Sequence, residues 1–200
     1  MTEWEQRLPP RVRERLAKIK ITPEEKKRLK ADEKLKSFLS AFYRGEISPE
    51  DLGQQLEQYE TKEKGFFISE VQRRLIDSLS LQIPAADFKK RGRCLLILER
   101  LKEKERDMPM KTEINALGSL IKHYLGEKNR VQEDLRKQVE QNPQLRMGRA
   151  KTDLGEMRME LSVDEAVSNS PQWKDFIFQH EMSCRAQFDQ SIRQLKEMIE

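Results

Sequence analysis

The two histidines and two cysteines are the residues of this sequence best suited to bind a metal or act as nucleophiles. They are His123, His180, Cys94 and Cys184. A di-metal site in a helical bundle uses a Glu-x-x-His pair on each of two helices, but Leu120 and Ile177 stand three residues before the histidines. Neither histidine has a second one a helical turn away, and the two cysteines form no zinc pattern or disulfide framework. We therefore expect no metal and no cofactor.

His180 is the candidate residue for an active site. It lies on an apolar stripe, where a histidine more often packs in a core and bonds a carbonyl than acts in catalysis. Catalytic groups of the Ser-His-Asp or Cys-His kind converge in space and not in sequence. An enzyme or ligand-binding bundle built around His180 and a nearby carboxylate is therefore an alternative, and it predicts a polar pocket in the core. The scattered glycines form no phosphate-binding loop, so we expect no nucleotide-driven chemistry. Because no catalytic site is legible in the sequence, we expect the protein not to be an enzyme.

Two short basic clusters could contact an anion. They contain Lys89, Lys90, Arg91 and Arg93 in the first, and Arg146 and Arg149 in the second. Together with the basic N-terminal helices, they make a nucleic-acid-associated protein an alternative function. Neither cluster carries the aromatic residues on which single-strand binders stack bases. Nucleic acid is therefore a possible partner but not the favoured one.

The composition indicates a helical protein with a thin core. Hydrophobic residues make up 36% of the chain and charged residues 37%, whereas about 25% charged residues is usual. β-branched residues are scarce, and no stretch alternates apolar and polar residues for long enough to predict a strand. The fold class is all-α: a helical bundle with long coiled-coil-like helices.

Helix-capping residues predict an antiparallel helical hairpin near the N-terminus. Residues 22–25, Thr-Pro-Glu-Glu, form a capping box that opens a helix running to about Arg44. Gly45 suits the left-handed position after that helix, and Ser48-Pro49 opens the next one at once. Two helices joined by so short a turn should pack together. The facing residues would be Leu35, Phe38, Leu39 and Phe42 on one helix and Leu52, Leu56 and Tyr59 on the other.

The turn of this hairpin resembles that of short bacterial helical modules called SHOCT domains. The resemblance rests on residues 42–52, Phe-Tyr-Arg-Gly-Glu-Ile-Ser-Pro-Glu-Asp-Leu, and it implies a role in oligomerisation. It covers only a short interior part of the chain, whereas that module usually ends a protein. Helix capping alone produces the same string of residues.

Prolines and glycines divide the rest of the chain. Gly65 is predicted to end the second arm of the hairpin, and helices are predicted over residues 66–81, 85–106 and 110–141. Residues 144–161 do not settle into a pattern and are either a frayed helix or an ordered connection. Ser162 begins a second capping box, and Ser170-Pro171 caps a final helix through Ile199. The sequence predicts two domains, residues 1–65 and 66–200, with an imprecise boundary between them.

The two longest helices carry the main apolar stripes. The packing residues are Ile114, Leu117, Ile121, Leu135, Phe176, Ile177, Phe188, Ile192 and Leu195. Lys128 and Gln138 interrupt the first stripe. Either these polar residues select a helix register or a partner, or the helix extends beyond the helix it packs on and leaves them in water. The stripes meet within one chain or between two chains, and the pattern does not distinguish these.

These features predict a protein–protein interaction, scaffold or adaptor function, with a protein partner or a second copy of the chain. The longest apolar run, residues 94–98, is far shorter than the ~20 residues of a membrane span. The first residues lack the layout of a signal peptide. We therefore expect a cytoplasmic protein that does not enter a membrane.

Overall fold

The computed structural model describes residues 22–58, 61–102, 107–152 and 155–199. Seven α-helices lie in these residues: α1 (Pro23–Arg44), α2 (Pro49–Glu57), α3 (Thr61–Asp77), α4 (Ala85–Arg100), α5 (Asp107–Gln141), α6 (Val163–Asn169) and α7 (Pro171–Ile199). A 3-10 turn (Pro143–Arg146) and two strands, β1 (Met147–Thr152) and β2 (Gly155–Glu160), lie between α5 and α6. The all-α class is therefore confirmed.

The chain divides into two compact units, Met1–Ser48 and Pro49–Glu200. The division predicted at residue 65 stays a prediction.

In the first unit, α1 begins and ends where its capping residues predict. Gly45 has a φ of 81°, the left-handed conformation that glycine adopts without steric cost. The amides of Gly45 and Glu46 donate to the carbonyls of Phe42 and Ala41, at 3.0 and 2.9 Å. This pair of bonds is the Schellman motif, which satisfies the last carbonyls of a helix. The side chains of residues 23–25 in the capping box lie outside the described ones, as does the segment before it for which a basic helix was predicted. The hairpin packing stays a prediction.

The second unit begins with α2, whose first residue is Pro49, as predicted. The helix packs closely on α4: a Cβ added to Gly53 would lie 2.9 Å from Ile97 Cγ2. The sequence-based end of this arm was wrong. α2 ends at Glu57, and Gly65 lies inside α3 instead of terminating a helix. The buried apolar residues that follow Gly65 in α3, beginning with Phe67 and Ile68, outweigh the ~0.5–1 kcal/mol cost of a glycine inside a helix.

Further helix boundaries differ from the prediction. α3 spans Thr61–Asp77 instead of residues 66–81. α4 ends at Arg100, six residues before the predicted end, and α5 begins at Asp107 instead of residue 110. Pro109 consequently lies in the first turn of α5 and does not interrupt it. A first-turn residue has no carbonyl partner for its amide, so proline costs nothing there.

The crossing of α4 and α5 depends on glycines that let the helices approach. A Cβ on Gly118 of α5 would lie 2.8 Å from Phe88 Cε1, and one on Gly92 of α4 would lie 3.0 Å from Ile114 Cγ2. Cβ atoms essentially never come as close as 2.8 Å to another heavy atom. The missing side chains are therefore what allows Phe88 and Ile114 to fill this interface.

α5 and α7 run antiparallel and pack along much of their length. His180 of α7 stacks on Tyr124 of α5, and Trp173 packs near Leu135 and Val139 at the other end of α5. The last carbonyl of α7, that of Ile199, accepts bonds from Ser69 Oγ at 3.2 Å and Lys102 Nζ at 3.5 Å. A lysine at the negative end of a helix is favourable, so the C-terminal turn is held against α3 and the residues after α4.

A second, smaller core lies under the far end of α5. It contains Leu135, Val139, Ala166 and Val167, with Leu161, Val163 and Trp173 partly buried around it. α6 reaches this core from the predicted capping box: Ser162 N donates to Glu165 Oε2 at 2.9 Å, and Glu165 N donates to Ser162 Oγ at 3.3 Å. Both caps predicted in this region are confirmed, because Ser170 Oγ accepts from the amide of Trp173 at 3.2 Å.

Residues 144–161 are neither a frayed helix nor a plain connection. β1 and β2 pair antiparallel from Met147 opposite Glu160 to Thr152 opposite Gly155. The amide of Leu161 extends the ladder to the carbonyl of Arg146, at 2.8 Å. The expectation that the chain holds no strand was therefore wrong here. The segment has few residues of high strand propensity, and strand pairing depends strongly on context.

Candidate interaction surface

The predicted packing stripes lie inside one chain. Ile114, Leu117, Ile121, Leu135, Phe188 and Leu195 are buried, and Phe176, Ile177 and Ile192 are half-buried. They occupy the α5–α7 interface and the cores at its two ends. Of the polar interruptions, Lys128 is half-buried and Gln138 is exposed. A surface free to bind a partner must therefore be sought among other residues.

The first predicted basic cluster is partly used within the fold. Arg91 Nη1 donates to the carbonyl of Ser78 at 2.5 Å, and the Arg93 guanidinium forms an ion pair with Glu50. Lys89 is exposed and Lys90 is half-buried. The geometry therefore brings two of these cations to internal partners, and binding of nucleic acid stays a prediction.

The second basic cluster is divided between two elements. Arg146 ends the 3-10 turn, where its Nε donates to the carbonyl of Leu161 at 3.0 Å and its Nη2 lies 3.0 Å from Glu160 Oε1. Arg149 belongs to β1, and its side chain lies outside the described ones. Arg146 thus fastens the base of the β-hairpin.

The fold brings the two histidines of the chain together. Their ring centroids are 6.2 Å apart, and His180 lies between the rings of Tyr124 and Phe176, with centroid distances of 4.9 and 5.1 Å. His180 Nε2 is 3.1 Å from the carbonyl of Tyr124, and a carbonyl only accepts, so this nitrogen carries the proton. Stacking and a backbone bond hold the ring in the manner of a packed histidine.

The two cysteines are free and buried. Burial, reinforced by the charge of Glu50, raises the pKa of the Cys94 thiol from 9.0 to about 12. A thiol with this pKa is protonated at neutral pH and is a poor nucleophile. Among the described residues, no group of three or more His, Cys, Asp and Glu side chains could hold a metal ion.

A surface groove of about 450 Å³ lies over the second core. Its apolar lining includes Leu135 and Val139 of α5, Leu161, Ala166 of α6 and Pro171 of α7. Leu145 and Met147 stand on its rim, 53% and 54% exposed. Its size falls in the roughly 300–1,000 Å³ range of ligand-sized clefts.

Among the residues that the structure describes, those lining this groove include no charged side chain, although 37% of the chain is charged. Its polar members are the neutral side chains of Gln138, Asn169, Ser170 and Gln172. Two other clefts of similar size, about 400 and 480 Å³, are lined by several acidic and basic side chains. An uncharged, concave surface with apolar residues on its rim suits an apolar occupant.

α7 also carries an exposed apolar pair that is not part of the groove lining. Phe178 and Met182 are 69% and 60% exposed and lie one helical turn apart, so they share a face. Sequence reasoning assigned neither residue, nor Leu145 or Met147, because it searched for apolar residues that repeat along a stripe. Their spacing off the predicted α7 stripe is the signal that could have identified Phe178 and Met182.

The fold and this surface define an all-α helical bundle with a surface groove over its second core. A family model, described as a family of unknown function (DUF6657), matches residues 53–200. The match covers most of the chain, which therefore belongs to this family. No curated protein and no solved structure matches the chain significantly. Among the described helices, none combines the length and the hydropathy that a membrane span requires.

Proposed function

We propose that this protein is a non-catalytic scaffold or adaptor that binds proteins, including a second copy of itself, through the groove over its second core. The observation that carries the proposal is that the described residues lining this groove are all uncharged, in a chain with so many charges. Apolar patches of this kind on a soluble surface mark binding sites more often than chance exposure does. The long helices supply the rigid frame, because their own apolar stripes are occupied within the chain.

A cytoplasmic location belongs to the same proposal. Cys94 and Cys184 are both free and buried, which suits a compartment that keeps thiols reduced. The coiled-coil pattern of α5 would then serve packing against α7, and oligomerisation would use the groove.

The proposal is tested by affinity capture with three baits: the wild type, Leu145→Glu and Phe66→Glu. Leu145 stands on the groove rim, whereas Phe66 is a comparably exposed apolar residue of α3 that is not part of the groove lining. A charge on the rim should remove most of the specifically captured protein, since an apolar partner would have to desolvate it. The Phe66→Glu bait should capture the same proteins as the wild type.

Equal capture by all three baits would contradict the groove as the binding surface. Circular dichroism of each bait checks that its helices are intact. A small molecule carried by the purified wild type and lost from Leu145→Glu would instead point to a ligand-binding bundle.

A further inference from the structure

α7 carries both a wall of the groove and the exposed apolar pair on one face. Pro171 lines the groove. Phe178 follows it by seven residues, and Met182 lies four residues beyond Phe178. Residues seven apart lie on the same side of an α-helix, about 10 Å apart along its axis. Pro171 and the Phe178–Met182 pair, here called the knob, therefore lie on the same face of α7.

This arrangement is self-complementary. If two α7 helices cross antiparallel with a two-fold axis between residues 174 and 175, residue 178 of each copy lies opposite residue 171 of the other. Each knob then lies against Pro171, a lining residue of the opposite groove, and the two contacts are identical, as an isologous dimer requires. A knob and groove far apart on the molecule would instead produce an open chain of subunits.

The charges at the centre of this crossing also match. Lys174 and Asp175 are exposed residues of α7 between Pro171 and Phe178. In the antiparallel arrangement, Lys174 of one copy lies opposite Asp175 of the second copy, and the reverse pair forms across the axis. Opposite charges at the rim fix register and favour encounter of the right partner.

We infer that the groove is occupied by a second copy of this chain, with Phe178 and Met182 of each subunit inserted into the groove of the other across antiparallel α7 helices. The inference rests on the proposed function and names the partner and the docking mode. The knobs and the groove surface that they cover would bury on the order of 1,000 Å² in total. That area is at the lower end for specific complexes, so the dimer should be reversible at micromolar concentrations.

Sedimentation equilibrium of the full chain tests the knob. The wild type should change from monomer to dimer between roughly 1 and 500 µM. Phe178→Glu should raise the dissociation constant at least about 100-fold, since it places a charge in an apolar pocket. Phe66→Glu alters a side chain of nearly equal exposure, 66% against 69%, and should leave the dissociation constant unchanged.

A charge exchange tests the antiparallel register. Lys174→Glu and Asp175→Lys should each raise the dissociation constant about tenfold, because each places like charges opposite one another. The double variant with both substitutions should return to the wild-type value, since it restores both opposite-charge pairs. Two exposed helix residues carry these changes, and circular dichroism checks that each variant keeps its fold.

A wild type that stays monomeric over this range would overturn the inference. So would a dimer that Phe178→Glu does not weaken, or single charge variants that the double variant does not rescue. Loss of capture by the Leu145→Glu bait would still support the proposed function in each of these cases. Conversely, a dimer with these sensitivities but no groove-dependent capture of another protein would limit the function to self-association.

Discussion

At the scale of single residues, absent side chains determine how closely the helices of the second unit approach. Gly118 faces the ring of Phe88 across the α4–α5 interface, where a Cβ would be 2.8 Å from a ring carbon. Gly126 lies two turns further along α5, and a Cβ there would meet nothing within 4 Å. The same residue type in the same helix is therefore needed for packing at one position and carries only a cost at the other.

This difference predicts opposite effects of two alanine substitutions. Gly126→Ala should raise the free energy of unfolding by about 0.5–1 kcal/mol, because alanine orders a helix more cheaply than glycine. Gly118→Ala should lower it by about 1 kcal/mol, since an overpacking cost of about 1–3 kcal/mol exceeds that gain. Urea unfolding followed by circular dichroism measures both values. Equal stabilisation by the two substitutions would show that Phe88 moves aside freely.

At the scale of elements, the short helix α6 depends on its cap. It contributes Ala166 and Val167 to the second core, and Ala166 also lines the groove. The seven-residue α6 is too short to be stable through propensity alone. The bonds between Ser162 and Glu165 are therefore part of what keeps the groove in shape. Bonds from the Ser162 hydroxyl and amide lower the pKa of Glu165 below its ordinary 4.5.

Removing this cap should destabilise the protein in a pH-dependent way. Ser162→Ala should lower the free energy of unfolding by about 1 kcal/mol near neutral pH, the usual cost of losing an N-cap. A carboxyl group whose pKa is lower in the folded protein stabilises the folded state at pH values above 4.5. This stabilisation is lost as the pH falls through the folded-state pKa. The difference between wild type and variant should therefore shrink below pH 4.5. Urea unfolding across this range measures it.

Ser119→Ala is the matched control for this prediction. Ser119 is exposed in the middle of α5, where its Oγ donates to the carbonyl of Asn115 at 3.0 Å. Such a bond adds little to a helix, and alanine has the higher helix propensity. The variant should be neutral or slightly stabilised at every pH. A Ser162→Ala effect no larger than this would mean that α6 is held by the second core alone.

At the scale of the whole molecule, the division into units agrees with the extent of the family. The second unit begins at Pro49 and the family match at Gly53. Both starts fall in α2, whose Leu52 and Leu56 are fully buried in a helix that packs on α4. The second unit therefore contains α2 together with the longer helices, and the family match covers α2 from Gly53 onward. The predicted division at residue 65 stays a prediction.

Two fragments distinguish these divisions. A chain of residues 49–200 should be helical and unfold cooperatively, whereas residues 66–200 should be less stable because α4 loses the cover of α2. Two buried leucines are lost, and each costs about 2–5 kcal/mol when truncated to alanine in a core. Urea unfolding of both fragments provides the comparison. Equal stability would favour the division at residue 65, and an unfolded 49–200 fragment would contradict its independence.

The sequence by itself determined where most helices begin and end. Gly45, Pro49, Ser162 and Ser170 all stand at the termini that their residue types predict. These features depend on bonds between residues only a few positions apart, so no knowledge of the tertiary fold is needed to read them. The misplaced end of α2 at Gly65 shows the limit, because burial of the helix that follows overrides a weak local preference.

Only the tertiary structure decided which apolar residues remain available for binding. The stripes of α5 and α7 look alike whether they meet within a chain or between chains, and the fold pairs them internally. The groove is built from α5, the 3-10 turn, the β-hairpin, α6 and α7, and no local pattern brings these segments together. Burial depends on contacts between residues far apart in sequence, whereas capping depends on neighbours. For that reason the helices were predictable and the candidate interaction surface was not.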